Sequence, residues 1–286
     1  MAALFSRSTL MGLRINTNIA SQEVQKNMRA SNANQEAEFA RLSSGKRITK
    51  SADDAAGLAI AKKLEAETRG IRVANRNAND AISLVQVAEG GLNETSNILV
   101  RLRELSIQAG SDTVGEAERG YLNLEYEQMV AEADRISKTT TFNGRSLLQG
   151  EGDLMQFQVG AQGGEMNRIE FDAGQTDASA ENLGIGGTNI KDKSDALDNL
   201  QRIDQAIDKV SAFRANFGSI QSRLQVTINN LDTAALNQDA ARSRIEDVDV
   251  ADSTARLASN QIKNAAGIAT LAQANQLGNG ALRLIG

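Results

Sequence analysis

From Gly57 to Ser106 the sequence can be laid out in sevens, and few architectures accept that constraint. One seam reads Gly57, Leu64, Ile71, Ala78, Val85, Leu92 and Leu99; its companion reads Ile60, Ala74, Ala81, Ala88 and Leu102, with Glu67 and Thr95 as polar interruptions. A sustained heptad with small residues at many core sites belongs to helices packed close together. The spacing predicts one helix over about residues 54–109, on the order of 80 Å long at 1.5 Å per residue. Ser51 followed by Asp54 has capping-box spacing, and Asp53 with Asp54 places negative charge on the first turn, where the helix dipole favours it. No proline interrupts the chain, although average usage predicts roughly 14 in this length.

A second stripe mirrors the first. Ile203, Ile207, Val210, Phe213, Phe217, Ile220, Leu224, Ile228 and Leu231 span 28 residues in eight steps, a helical spacing that resumes at about Asp192. Between the stripes, residues 116–138 predict a shorter amphipathic helix facing inward through Tyr121, Leu124, Met129, Val130, Ala133 and Ile136. Asn143-Gly144 follows as a turn signal. The period then changes to two, with Met155, Phe157 and Val159 alternating and Ile169 and Phe171 answering them across a glycine-rich connection. That is the single strand pair the pattern predicts. From about Ile245 the chain becomes alanine-rich, with eight alanines among the 24 residues from Ala251 to Ala274.

The fold class expected is mostly α: a long antiparallel coiled-coil rod of helices, with a small β-hairpin element at one end and both termini as helices at the other. The expected division is an extension or misassigned start at 1–10, a terminal helix at 11–42, a polar crossing at 43–56, half of the rod at 57–149, a glycine-rich β region at 150–190, the other half of the rod at 191–240, and a second terminal helix at 241–286. MAALFSRSTL has only a broken apolar run, unlike a cleaved signal peptide, while Met11 opens a more regular segment.

Composition narrows function. Histidine and cysteine are absent, which removes the commonest general base, thiol nucleophiles and the usual zinc ligands. Gly160, Gly163 and Gly164 do not form a phosphate-cradling loop before a helix, and Asp53 beside Asp54 reads as a helix start rather than a catalytic pair. The reading is therefore no enzyme, no cofactor and no metal. The 31 basic residues are scattered among 36 acidic ones, so no nucleic-acid face is expected, and no apolar run reaches the length of a membrane span.

Specific blocks then carry a resemblance. LRINTNIAS (13–21), RLSSGKRITKSADDAAGLAIA (41–61), the stretch 79–109, FNGRSLL (142–148), ARSRIEDVDVADSTARLASNQI (241–262) and LAQANQ (271–276) stand in order along the chain. Together they closely resemble bacterial flagellin, with the large variable outer region of typical members reduced to about residues 150–190. The family pattern begins close to Met11. The tail GNGALRLIG keeps the apolar spacing but departs from the polar residues usual there.

The resemblance implies a structural subunit that self-assembles into the helical filament of the bacterial flagellum, secreted and extracellular. The hook–filament junction protein, a relative sharing the amino-terminal architecture, stays as the alternative. Implied partners are further copies of the chain, the flagellar export apparatus, a secretion chaperone at the carboxyl-terminal helix, and hook-associated and cap proteins.

The crossing at 41–57 is expected to bear contacts between subunits through Arg41, Lys46, Arg47, Lys50, Asp53 and Asp54, the basic residues opposing the two aspartates. Gly45 ends the first helix in a left-handed cap and Ser51 starts the next. The terminal helices are expected to order only against copies of themselves, and the amides of Asn16, Asn18, Asn27, Asn32, Asn34, Gln261, Gln273, Asn275 and Gln276 either to hydrogen-bond between subunits or to be solvated. The strip LVRLREL matches the family's contact for the Toll-like flagellin receptor of animal hosts. This carries over Leu99, Arg101, Glu104 and Leu105, with Val100 where a glutamine is usual.

Overall fold

A computed structural model of the protein describes residues 17–151 and 154–283, with side chains placed as far as residue 276. The extension at 1–10, Asn16 and the final three residues lie outside the described residues. Helices dominate: α1 Ile19–Ser44, α2 Ala55–Ala109, α3 Glu116–Thr139, α4 Ala180–Leu183, α5 Lys193–Glu246 and α6 Val250–Arg283. The strands are β1 Thr141–Phe142, β2 Arg145–Ser146, β3 Leu154–Gln158 and β4 Arg168–Asp172, and they form two antiparallel pairs, β1 with β2 and β3 with β4. The chain divides into two compact units, one from Glu65 to Asp239 and the other from the residues up to Leu64 with those from Ala240 onward.

The unit at 65–239 holds a continuous apolar core. Arg103 bonds Asp204, Asn75 bonds Asp232 and Arg72 bonds Asp239, so pairing advances along α2 as it retreats along α5, and the helices run antiparallel. Ala78, Ala81, Val85, Ala88, Leu92, Leu99 and Leu102 are all buried from α2, as are Ile203, Val210, Phe217, Ile220 and Leu224 from α5. In the β3–β4 pair Met155 stands opposite Phe171, and Phe171 meets Phe217 of α5 with ring centroids 5.3 Å apart. The smaller β1–β2 pair, which the alternation did not reveal, is closed by Asn143 and Gly144 with φ of 50° and 77°. That is the doubly left-handed turn that Asn-Gly favours. Alanine at Gly91 would bring its Cβ to 2.7 Å from Thr140 Oγ1 and 2.8 Å from Leu148, so glycine there permits close packing on α2.

Three local expectations need correction. Ile60 is 52% exposed, and Ala61 and Thr68 take the buried places nearby. A helix with 3.6 residues per turn drifts about 20° per heptad, which moves the seam by one position toward that end. The inward face of α3 also differs: Tyr121 and Leu124 are 74% and 60% exposed, while Asn123, Tyr126, Ala133 and Ser137 are buried. Hydrogen bonds decide the rotation. The Ile190 N–H donates to Asn123 Oδ1 at 2.9 Å, Asn123 Nδ2 donates to Glu127, and Tyr126 Oη bonds Thr188 Oγ1 at 2.9 Å. Finally, Ser51 does not start α2. Asp54 caps it instead, its Oδ1 accepting the Gly57 N–H at 2.8 Å.

Candidate functional site: the linker crossing and the terminal helix pair

Gly45 ends α1 in the left-handed conformation, φ 70° and ψ 9°, and the chain turns into a linker that lies against the α5–α6 linker. The Arg47 N–H donates to the Glu246 carbonyl at 2.6 Å and the Val248 N–H donates to the Gly45 carbonyl at 3.1 Å. Side chains reinforce this cross-tie. Lys46 Nζ bonds Glu246 Oε1 at 2.5 Å, and the Arg47 guanidinium donates to the Ile245 carbonyl. The Glu246 side chain is only 6% exposed whereas that of Lys46 is 47% exposed, so the pair is half in water. Ile48 is buried beside it.

The two aspartates have other work than meeting these basic residues. Asp53 Oδ2 accepts the Thr49 and Lys50 N–H groups, each at 3.0 Å, and the Thr49 hydroxyl. Those hydrogen bonds hold its carboxyl below the ordinary value, Lys50's contributing most and the Arg41 charge least. Arg41 pairs with Glu38, one turn back on α1. The structure thus brings Lys46 and Arg47 to the second linker, keeps Arg41 on its own helix, gives Asp53 and Asp54 to the backbone, and leaves the Lys50 side chain exposed. Sequence reasoning missed Glu38, Ile245 and Glu246. The block ARSRIED was in view, but nothing in its spacing reveals a partner some 200 residues away.

Helices α1 and α6 pack closely and antiparallel. Asn18 Nδ2 donates to the Ala274 carbonyl at 2.8 Å, Ser21 Oγ to Asn275 Oδ1 at 3.0 Å, Ser31 Oγ to the Asn260 carbonyl, and Asn264 Nδ2 to Gln35 Oε1 at 2.7 Å. Gly267 faces Met28 at a distance that admits no added Cβ without displacement. Apolar burial is scarce: among the described residues of this unit, the buried hydrophobics are Ile48, Ala61 and Ala274. Ile19, Phe39, Val250, Ile262 and Ile268 remain largely exposed.

Two blocks of the chain match known family regions. Residues 15–153 match the bacterial flagellin N-terminal helical region, and residues 200–285 match the bacterial flagellin C-terminal helical region. The chain belongs to the bacterial flagellin family. A flagellin of Halalkalibacterium halodurans is 43% identical over 95% of this chain and 99% of its own length. The flagellar filament core protein flaB2 of Brachyspira hyodysenteriae is 37% identical, again over 95% of this chain and 99% of that protein. A solved structure described as a flagellar hook-associated protein of Vibrio parahaemolyticus shares the fold, with a TM-score of 0.57 and 14% identity over 68% of this chain and all of that one.

On this flagellin, the strip matched to receptor contact is split by packing. Leu99 and Leu105 are completely buried in the core of the 65–239 unit. Arg101 and Glu104 are exposed and bonded to each other, and Arg101 also donates to Glu125 at 2.6 and 2.9 Å. These bonds, Glu125's foremost, raise the guanidinium's affinity for its proton. Among the described residues no group of side chains is placed to hold a metal ion, and no helix is long and apolar enough to cross a membrane.

Proposed function

We infer that this flagellin is a structural subunit of the flagellar filament, and that its working part is the terminal helix pair, ordered by contact between copies. One observation carries this: the α1–α6 pair is tied by polar bonds and fully buries few apolar side chains. Fixing each residue costs roughly 1–2 kcal/mol of backbone entropy. A hydrogen bond returns only about 0.5–1.5 kcal/mol net. Two helices whose described residues bury a single hydrophobic, Ala274, need surface from elsewhere. Outward-facing Ile19, Phe39, Ile60, Val250, Ile262 and Ile268 are the groups such contacts would cover. One face meeting a different face on the next copy does not close, and it propagates into a helical polymer.

In this reading α1 and α6 form an inner tube, residues 57–149 and 191–240 the surrounding helical layer, and 150–190 the reduced outer region. The crossing, with Arg41, Lys46, Arg47, Lys50, Asp53 and Asp54, joins the layers. Most of its charges hold the crossing together, and Lys50 is left to face a neighbouring copy. The subunit travels unfolded through the export apparatus, its carboxyl-terminal helix masked beforehand by a chaperone, and it takes its place beside hook-associated and cap proteins outside the cell. It carries no catalytic role. Receptor contact on this chain runs through Arg101 and Glu104. A hook–filament junction role is not favoured, because the carboxyl-terminal region matches the flagellin family as well as the amino-terminal one and the relatives are flagellins and filament core proteins over nearly their whole length.

Electron microscopy of purified protein added to filament fragments tests the reading, alongside limited proteolysis of the soluble subunit. Long tubes growing from the fragments, and subunits trimmed at both ends before the 65–239 unit is cut, are expected. Protein that gives only soluble dimers, with ends as resistant as the centre, would overturn it.

A further inference from the structure

The loop between β3 and β4 projects an apolar side chain into water from an ordered turn. Met166 sits in a single 3₁₀ turn, Glu165–Asn167, and is 101% exposed. The turn is held from several sides. The Asn167 N–H donates to the Gly164 carbonyl at 3.2 Å, the Val159 N–H to the Asn167 carbonyl at 2.9 Å, and Gln158 Nε2 to the carbonyls of Gly160 and Gln162. Together with Val226, itself 66% exposed, Met166 rims a cavity of about 660 Å³ between this loop and α5.

The other described methionines are sheltered. Met155, on β3 of the hairpin, is 7% exposed, Met129 packs against the core of the same unit, and Met28 lies against Gly267 in the terminal pair. Thioether oxidation requires an oxidant to reach a sulfur lone pair, so susceptibility follows exposure. A sulfoxide at Met155 would put a polar oxygen into the core without a partner, at a cost to folding. At Met166 the same oxygen points into solvent.

We propose that Met166 is a surface oxidation site, where a peroxide delivers one oxygen atom to the thioether ahead of the methionines that hold the fold. The sulfur lone pair attacks one peroxide oxygen, an S–O bond forms and the O–O bond breaks. The departing hydroxide takes the proton from the oxygen now bound to sulfur and leaves as water. Sulfur loses two electrons, the peroxide gains them, and the product is methionine sulfoxide, which a sulfoxide reductase returns to the thioether. One apolar group on the rim of the cavity becomes polar while the core is untouched.

The test uses the full-length soluble protein in excess hydrogen peroxide, with peptide mass mapping over time and circular dichroism in parallel. Met166 is expected to gain oxygen at least about tenfold faster than Met129 and Met155, with helicity unchanged after that first addition. In Met166→Leu the fast oxygen uptake within residues 65–239 disappears while the slower rates at Met129 and Met155 stay as they were. Comparable rates at Met166, Met129 and Met155, a fast phase within residues 65–239 that survives in Met166→Leu, or loss of helicity with oxygen uptake at Met166 would each overturn the proposal.

Discussion

Replacing Asn123 by leucine exchanges a polar side chain for an apolar one of similar size at a buried helix position, a change that hydropathy alone scores as favourable. The structure predicts the opposite. Ile190 is fully buried, and its N–H has Asn123 Oδ1 as acceptor at 2.9 Å. Removing that acceptor leaves a buried donor unsatisfied, at about 1–3 kcal/mol. The bond from Asn123 Nδ2 to Glu127 is lost as well, although Glu127 lies in water and adds little. A net loss of about 2 kcal/mol corresponds to a fall in melting temperature of roughly 4–8 °C for a unit of this size. Thermal unfolding followed by circular dichroism reads it. Asn123→Asp, which keeps an acceptor for Ile190, should fall between wild type and Asn123→Leu. Leu124→Ala, on the exposed face one residue away, should cost under about 0.5 kcal/mol. A leucine variant as stable as wild type, or a Leu124→Ala variant that melts lower than Asn123→Leu, would refute the argument.

Neighbouring glycines on α2 should respond in opposite directions. Gly90 has open space around it, so Gly90→Ala should stabilise by about 0.5–1 kcal/mol through chain entropy. Gly91→Ala, pressed against Thr140 and Leu148, should destabilise by about 1–3 kcal/mol in the same melts. Burial raises the Tyr126 hydroxyl above its ordinary 10.0. The folded state then holds that proton more tightly than the unfolded state, so its contribution is complete below pH 10.0 and is lost as pH rises above it; Tyr126→Phe should flatten this part of the alkaline stability profile. Asp53 works with the other sign. Its lowered pKa means the loop anchoring is present above 3.8 and lost as pH falls below, visible as faster amide exchange at Thr49 and Lys50. In the cross-tie, Lys46→Ala should raise the concentration needed for seeded growth more than Glu246→Gln does. Only the first leaves an unpaired carboxylate in a nearly buried site, a loss of about 1–2 kcal/mol once the exposure of Lys46 is discounted.

The long helices were legible because each repeats one physical requirement many times. Leu92, Leu99 and Leu102 from α2 and Phe217 and Leu224 from α5 stand buried where the seams put them. Gly45 and the Asn143-Gly144 turn were legible for a different reason: few residues tolerate a positive φ. Where the reading failed, a single long-range polar bond outweighed a local pattern. Nothing near Asn123 in the sequence announces the Ile190 amide, so Tyr121 and Leu124 were assigned the inner face. Charge pairing inside the crossing failed the same way. Local charge counting paired its basic residues with Asp53 and Asp54, but Lys46 and Arg47 answer to Ile245 and Glu246, while the aspartates satisfy backbone donors that composition does not display.

The polar ties between α1 and α6 bear on fidelity. Greasy surfaces slide past one another at small cost, whereas the Asn18–Ala274, Ser21–Asn275 and Gln35–Asn264 bonds exist at a single alignment of the two helices. An object made by repeating one piece many times multiplies every misfit, so a slip of one turn between these helices would be repeated in every piece. Directional bonds between α1 and α6 hold every copy of the subunit to the same internal alignment.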